Sequence, residues 1–500
     1  MGRTWFEVDK DGLKALQLGK PKSYIIRELV ANAWDENITL CKVESFNKNG
    51  VATISVEDDS PEGFNDLSDG YTLFKNTRKR SNPKQRGRFN LGEKQAFAIC
   101  RKASIVTTKG TLVFDKAGRR ESRNHRDRGT KVTIELKITK AEYDEMLGTL
   151  MLYLSPKNVI TVINEQRLEY KPPFKTITAT LQTELADQNG ALSKTREKTE
   201  IQIHKVSGDS YLYEMGIPVK KIDCPFSIDI QQKIPLDKDR ENVSEAFLKD
   251  VYAEVLNATC DEIPAEKSSE TWIRNATSDE RISTEAIETI KRKRFGDKVL
   301  VANPFDPIAN DDALSQGYRV IQGRELSGDE WTQIKEKAPI ATTTAKFGKT
   351  PVNAKELTPT PEQAKVALYA KKLHLRLNNK DLNVRFVRCR EAGESANYGL
   401  GTLTFNLAWL SKNFFEEYLK TTNLILHEIG HEFGNHTEHS YHEALTRMAQ
   451  ELVIIALDEP EFFSIDKKPL VVTGMEKAAT EPLNAFAGPG AIAPLAKGKK

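Results

Sequence analysis

The run SYIIRELVANAWDE, residues 23–36, constrains the first part of the chain more than any other stretch. Ile25, Leu29 and Ala33 recur at helical spacing with Ile26 and Val30 beside them, which predicts an amphipathic helix. Ser23, just after Pro21, is its expected cap. Three polar residues interrupt the apolar pattern. Glu28 and Asn32 are four apart and share a face, with Asp35 three further on. A carboxylate and a carboxamide one turn apart can orient water and hold Mg²⁺, a hard ion that prefers oxygen ligands. An ordinary helix with solvated polar residues would also fit this piece alone.

The segments that follow narrow the choice. VATISVEDD alternates and breaks at SPEG, a strand feeding a turn. Residues 66–94 are rich in Gly, Lys, Arg, Asn and Ser and predict a mobile loop. QAFAICRKA is helix-like, and SIVTTKGTLVFDK and GTKVTIELKI read as strands. At 500 residues the chain has room for two to four domains. With 39% hydrophobic and 29% charged residues it is expected to be globular and soluble, neither fibrous nor disordered. Its 74 basic and 71 acidic residues nearly cancel, so net charge gives no reason to expect DNA binding. The five cysteines form no CxxC pair, which fits a reducing cytoplasm. The start lacks the apolar core of a signal peptide, Gly2 lacks a convincing myristoylation context, and no apolar run is long enough to predict a membrane span.

Taken in order, ELVANAWDE, SVEDDSPEGF, RGRFNLGEKQAF and GTKVTI resemble the four nucleotide-binding boxes of the GHKL (Bergerat-fold) ATPases. That superfamily includes DNA gyrase B, the ninety-kilodalton heat-shock chaperone, histidine kinases and MutL. The resemblance covers roughly residues 20–140 and implies an α/β sandwich that binds ATP and Mg²⁺. It implies Glu28 as the general base, Asn32 as a Mg²⁺ ligand with Asp35 nearby, and Asp58 as the acceptor of the adenine amino group. Gly63 would let the backbone approach the base. Gly87, Arg88, Phe89, Asn90, Leu91 and Gly92 would wrap the phosphates, and Gly129 and Thr130 would close the adenine side. Glycine-rich loops present backbone N–H groups to phosphate, and a helix starting near Glu93 would add its positive end. The cations of the loop, among them Lys75, Arg78, Lys79, Arg80, Lys84 and Arg86, would form an ATP lid. The chain departs from the family pattern at Asp58-Asp59-Ser60-Pro61-Glu62-Gly63, which lacks the usual first glycine and leaves the register open. Asn90 stands where glycine is common.

Further along, TITATLQTEL, TEIQIHKV and CPFSIDIQQKIPL read as strands and VSEAFLKDVYAEVLN as a helix. DIQQKIPLDKDR resembles the phosphate-sensing loop of the transducer domain that follows these ATPases, with Lys233 as the sensor and Lys238 as its competitor. The expected organisation is multidomain α+β. A nucleotide domain spans 1–148, a transducer-like (ribosomal S5-like) domain 149–261, an α+β middle region and linker 262–350, a compact zincin-like domain 351–474, and a disordered tail 475–500. The whole is more similar to phage rIIA-like proteins and the MORC group than to gyrase.

Five of the eight histidines fall within LILHEIGHEFGNHTEHSYHEAL. On a helix, His427 and His431 are four apart and can converge on one metal, with Glu428 beside them as general base. This is the HExxH arrangement of zinc metallopeptidases. For the third ligand, His439 is favoured, because it precedes Ser440 as in compact zincins. Glu443, His442 and His436 follow in that order. GTLTFNLAW, just upstream, is a candidate substrate-aligning edge strand.

The expected protein is a cytoplasmic phage or bacterial factor in which ATP drives N-terminal dimerisation and the zincin-like domain acts on a peptide or host protein. The alternative is a non-proteolytic ATP-gated clamp on DNA or a host protein, with structural zinc.

Overall fold

The computed structural model describes residues 8–17, 19–64, 66–75, 78–88, 90–187, 191–236, 242–348, 356–390, 392–399, 401–436 and 438–463. Phe89, Lys238 and the tail expected from 475 lie outside the described residues. The chain divides into two compact units, Met1–Lys298 with Asp329–Ile340, and Val299–Gly328 with Ala341–Lys500.

The first unit opens with α1 (Lys10–Ala15) and α2 (Ser23–Trp34), followed by β1 (Leu40–Lys48) and β2 (Val51–Asp58). After the loop come α3 (Gly92–Ile99), β3 (Lys102–Thr107), β4 (Gly110–Asp115), β5 (Gly118–Ser122), β6 (Lys131–Lys137), α4 (Lys140–Leu150), β7 (Ile160–Ile163) and β8 (Gln166–Leu168). The strands form one sheet of order β5-β4-β3-β6-β2-β1-β7-β8. Its pairs are antiparallel except β1 with β7. Asn49 and Gly50 both take positive φ, the backbone a tight β1–β2 turn requires. The apolar side of α2 (Ile25, Ile26, Leu29, Val30) is buried in one core with Ile54, Ile105, Leu112, Ile134 and Leu136 from the sheet. Burial of this face, more than helix propensity, holds α2 in place. Ser23 is not its cap: Lys22 is the N-cap residue and makes no side-chain capping bond.

A second sheet follows, built from β9 (Lys175–Ala186), β10 (Leu192–Lys205), β11 (Ser210–Glu214), β12 (Ile217–Ile222) and β13 (Phe226–Ile230), in the order β12-β11-β13-β10-β9. Helix α5 (Glu245–Thr259), capped by Ser244, packs on β9, and α6 (Thr271–Thr277) and α7 (Thr284–Phe295) follow. The chain then passes through β14 (Val299–Val301), α8 (Pro307–Ser315) and β15 (Arg319–Ile321), which belong to the second unit. Most of α9 (Gly328–Lys337) belongs to the first, where its buried Glu330 meets Arg274 at 3.1 Å and Arg294 at 3.0 Å. The stretch 262–350, read from sequence as one middle region, is thus shared between two units.

In the second unit, α10 (Thr343–Phe347) occupies part of the expected linker, capped by Thr342. Helix α11 (Pro361–Asn378) starts at a capping box between Thr360 and Gln363. Strands β16 (Asn383–Val387), β17 (Ala396–Gly399) and β18 (Thr402–Asn406) form a sheet of order β16-β18-β17. Helices α12 (Tyr418–Gly430) and α13 (His439–Asp458) complete it. Phe386, Phe405 and Phe415 pack at 5.4–5.7 Å between ring centroids in its core, beside Ile425 and Ile429 of α12. GTLTFNLAW is not an edge: β18 is central, paired on both sides, and β16 and β17 are the edge strands.

Candidate functional site

Glu28 and Asn32 project from α2 into a cavity of about 630 Å³, within the size range of small-molecule clefts. Asp58, Gly63 and Thr130 line it at the end of β2 and the start of β6; Gly87, Asn90, Leu91 and Gly92 line it before and at the start of α3. Glu28 is buried, and a Cβ on Gly92 would lie 1.8 Å from its Oε2, so only glycine admits the carboxylate there. The Asn32 amide donates to Glu93 Oε2 at 3.0 Å, which fixes its orientation. Asp58 Oδ1 accepts from Ser60 N at 2.9 Å and Thr130 N at 3.2 Å, and burial pushes its carboxyl up to about 6 against those bonds. Gly129 (φ 74) passes so close that a Cβ would meet the Asp58 carbonyl at 1.9 Å. Asp59 is spent elsewhere, accepting from Thr39 N at 2.8 Å, Leu40 N at 3.0 Å and Arg128 at 3.0 Å. Of Asp58 and Asp59, Asp58 is therefore the one that lines the cavity.

A family model described as Histidine kinase-, DNA gyrase B-, and HSP90-like ATPase matches residues 22–149. Residues 22–149 form a GHKL-type ATPase domain. Among solved structures the chain is similar to the ATPase region of Saccharomyces cerevisiae topoisomerase II. The identity is 12% over 43% of this chain and 75% of that one, with a TM-score of 0.31. It is similar also to that region bound to ICRF-187 (dexrazoxane), with 11% identity over 48% and 85% and a TM-score of 0.30. The search of curated proteins found no match.

Three residues expected at the nucleotide of this ATPase domain do other work. Asp35 accepts from Arg86 Nη1 at 2.8 Å, Arg86 N at 3.0 Å and Gly87 N at 3.1 Å, so it anchors the segment Arg86–Gly87 and does not line the cavity. Arg88 borders the cavity, but its guanidinium is buried against Glu214 of β11 and the Ile234 carbonyl, 2.7 Å away. Lys233 is fully buried and does not line the cavity; it donates to the Lys79 carbonyl and, at 3.2 Å, to that of Arg80. Arg86 also donates to the Met215 carbonyl. Residues 79–88 are thereby tied to the second sheet and the segment after it. Lys75 and Lys79 do line the cavity, paired with Asp69 and Glu36 at 2.5 Å each. Burial opposes the charge of Lys79, but Asp35 and Glu36 outweigh it and hold the ammonium above its ordinary value.

In the second unit, His427 lies on the last turn of α12, and His431 follows where the helix tightens into a 3₁₀ turn. The sequence-favoured third residue is not beside them. His439 and Glu443 pair with each other at 3.0 Å on the exposed first turns of α13. His436 takes the position instead: one nitrogen each of His427, His431 and His436 lies within 4.8 Å of the others, and His427 Nε2 is 3.1 Å from His436 Nε2. Gly434, at φ 142, lets the chain leave the 3₁₀ turn so that His436 reaches back.

His431 Nδ1 lies 3.0 Å from the Gly434 carbonyl, which selects the tautomer with Nε2 as acceptor. Tyr441 stacks on His431 and its hydroxyl lies 3.1 Å from His427 Nδ1. Burial depresses His431 to about 4, and the neighbouring imidazoles reinforce this; both effects keep the ring neutral, the form that ligates metals. Glu428 borders the same cavity of about 520 Å³ as the three histidines. Its Oε2 accepts from Tyr398 N of the edge strand β17 at 3.0 Å. Burial, then the charge of Glu394, pushes Glu428 up to about 7.

Proposed function

We propose that this protein couples a Mg²⁺-dependent ATPase centred on Glu28 to a zinc-dependent hydrolytic centre formed by His427, His431, His436 and Glu428. The ATPase reading rests above all on the buried Glu28 carboxylate seated against Gly92 in the cavity that Asp58 closes. Glu28 would take a proton from the attacking water, Asp58 would accept from the adenine amino group, and the backbone from Gly87 to Gly92 would receive the phosphates. The carboxamide oxygen of Asn32 suits Mg²⁺, which would neutralise charge on the phosphates. The buried contacts of Arg86, Arg88 and Lys233 support a transducer role for the second sheet, which would follow the lid as ATP orders it. ATP-dependent dimerisation belongs to the same proposal.

The second centre rests on the histidine geometry. Zinc–imidazole bonds of about 2.0–2.1 Å place tetrahedral ligand atoms roughly 3.3 Å apart. His427 and His436 are already near that spacing, and the Gly434 carbonyl orients His431. The donor set fits zinc, which when bound would polarise a water and a scissile carbonyl. Glu428, held by Tyr398 N–H, would take a proton from that water and hand it to the leaving amine. The edge strand β17 would lie alongside an extended peptide.

The test is one preparation of the whole chain, assayed for Mg²⁺-dependent phosphate release and for bound zinc. The proposal expects turnover that stops with a chelator of Mg²⁺, and about one zinc per chain, lost in a His427→Ala, His431→Ala variant. No ATP turnover would reject the first centre, and full zinc retention in the double variant would reject the second.

A further inference from the structure

Two buried polar side chains in the nucleotide cavity have no part in the scheme above. Gln17, just beyond α1, is 1% exposed and lines the cavity, yet neither its Nε2 nor its Oε1 meets a hydrogen-bond partner among the described residues. Tyr24 is 6% exposed, lines the same cavity, and its Oη is equally unpartnered. Buried polar atoms are nearly always satisfied, because leaving one without a partner forfeits its bonds to water with no return. Three such atoms bordering one cavity mark what is meant to fill it.

Their position says which part of the nucleotide that is. Tyr24 stands one helical turn before Glu28 on α2, on the same face. Helix α1 packs against α3, whose first residue, Gly92, receives the Glu28 carboxylate. Lys20 N donates to the Gln17 carbonyl at 3.3 Å, joining the end of α1 to the approach to α2. Both side chains therefore flank the Glu28 end, whereas Asp58, Gly63 and Thr130 form the adenine end.

We propose that Gln17 and Tyr24 form a polar wall that binds the terminal phosphate of the nucleoside triphosphate and the water that attacks it. The Gln17 amide has two N–H donors for phosphate oxygens and a carbonyl that can accept from water. A glutamine that orients the attacking water is established chemistry for phosphoryl transfer. Tyr24 adds a hydroxyl donor, kept protonated because burial, first of all, holds its pKa above the ordinary phenol value. Glu28 remains the base. The two residues make the cavity distinguish triphosphate from diphosphate, since in ADP the group they meet is gone.

This inference rests on the ATPase reading, and the experiment separates the two. Gln17→Met and Tyr24→Phe are made in the whole chain. Affinities for Mg-ADP and for a non-hydrolysable Mg-ATP analogue are measured by calorimetry, with phosphate release and the melting temperature of the nucleotide-free protein. Gln17→Met should weaken the analogue about tenfold to a hundredfold, the worth of hydrogen bonds to a charged group, while ADP affinity stays within about twofold. Turnover should fall, and the nucleotide-free melting temperature should hold or rise because unsatisfied atoms are removed. Tyr24→Phe deletes only the hydroxyl and should move the analogue-to-ADP affinity ratio in the same direction. Equal loss for both nucleotides, or an unchanged ratio with unchanged turnover, would overturn the proposal. A wild-type chain that binds neither nucleotide would overturn the ATPase reading itself.

Discussion

Replacing Arg88 with methionine removes a guanidinium from a site where the side chains of both Arg88 and Glu214 are almost wholly buried. The Glu214 carboxylate then loses its guanidinium partner and retains the N–H of Ile234, at 3.0 Å, while the Ile234 carbonyl loses the donor it holds at 2.7 Å. Breaking one side of a buried ion pair leaves an uncompensated charge and costs about 3–5 kcal/mol. That is a large share of the ~5–15 kcal/mol that stabilises a typical domain. The double variant Arg88→Met, Glu214→Leu removes both charges and should recover most of the loss. About 1–2 kcal/mol should remain for the two orphaned groups of Ile234. Urea unfolding of the whole chain, with hydrogen exchange reporting on β11 and the lid, measures both. The first unit should unfold at markedly lower urea in the single variant than in the double. An unchanged midpoint for Arg88→Met, or a double variant as weak as the single, would refute the reasoning that this pair fastens the segment before α3 to the second sheet.

ATP affinity should fall as pH drops through about 6, where the buried Asp58 carboxyl takes up a proton and loses the charge that makes it a strong acceptor. The decline should approach roughly tenfold per pH unit below that point. The stability linkage runs the other way: a carboxyl raised by burial costs stability when ionised, so protonating Asp58 relieves strain and the lost affinity is not unfolding. Calorimetric titration across pH 5–8 checks this, and Asp58→Asn should flatten the profile. Gly92→Ala would stabilise α3 by about 1 kcal/mol on helix propensity alone. Instead its Cβ, 1.8 Å from Glu28 Oε2, should displace the carboxylate and cut phosphate release by about tenfold or more. Glu428→Gln should keep bound zinc, measured by elemental analysis, while any peptide cleavage disappears and ATP turnover persists.

The periodic parts of the chain were legible because their determinants are local. The apolar spacing of Ile25, Leu29 and Ala33 located α2, and the Glu28–Asn32 spacing put both side chains in the cavity. HEIGH likewise placed His427 and His431 together on a helix end. What failed depends on partners distant in sequence. Asp35 reads as a site residue until Arg86 and Gly87 fold back on it, and nothing near Arg88 announces Glu214. Lys233 has the chemistry of a phosphate sensor, but the carbonyls of Lys79 and Arg80 claim its ammonium. The sequence ranks His436 last among the candidates for the third position because the His-Ser spacing is a local cue, whereas the turn at Gly434 that carries His436 back shows only in the structure. Strand β17 is four residues long, beside a glycine-rich turn, too short to show an alternating pattern.

The central claim is that Glu28 activates water in a cavity that binds Mg-ATP without needing that carboxylate. Nucleotide affinity and phosphate release, measured side by side on wild type and Glu28→Ala, test it most directly. Glu28→Ala should bind Mg-ATP with nearly wild-type affinity and lose about 100-fold or more of its turnover, the usual worth of a positioned base. Phosphate release at the wild-type rate by a Glu28→Ala chain that still binds ATP would contradict it.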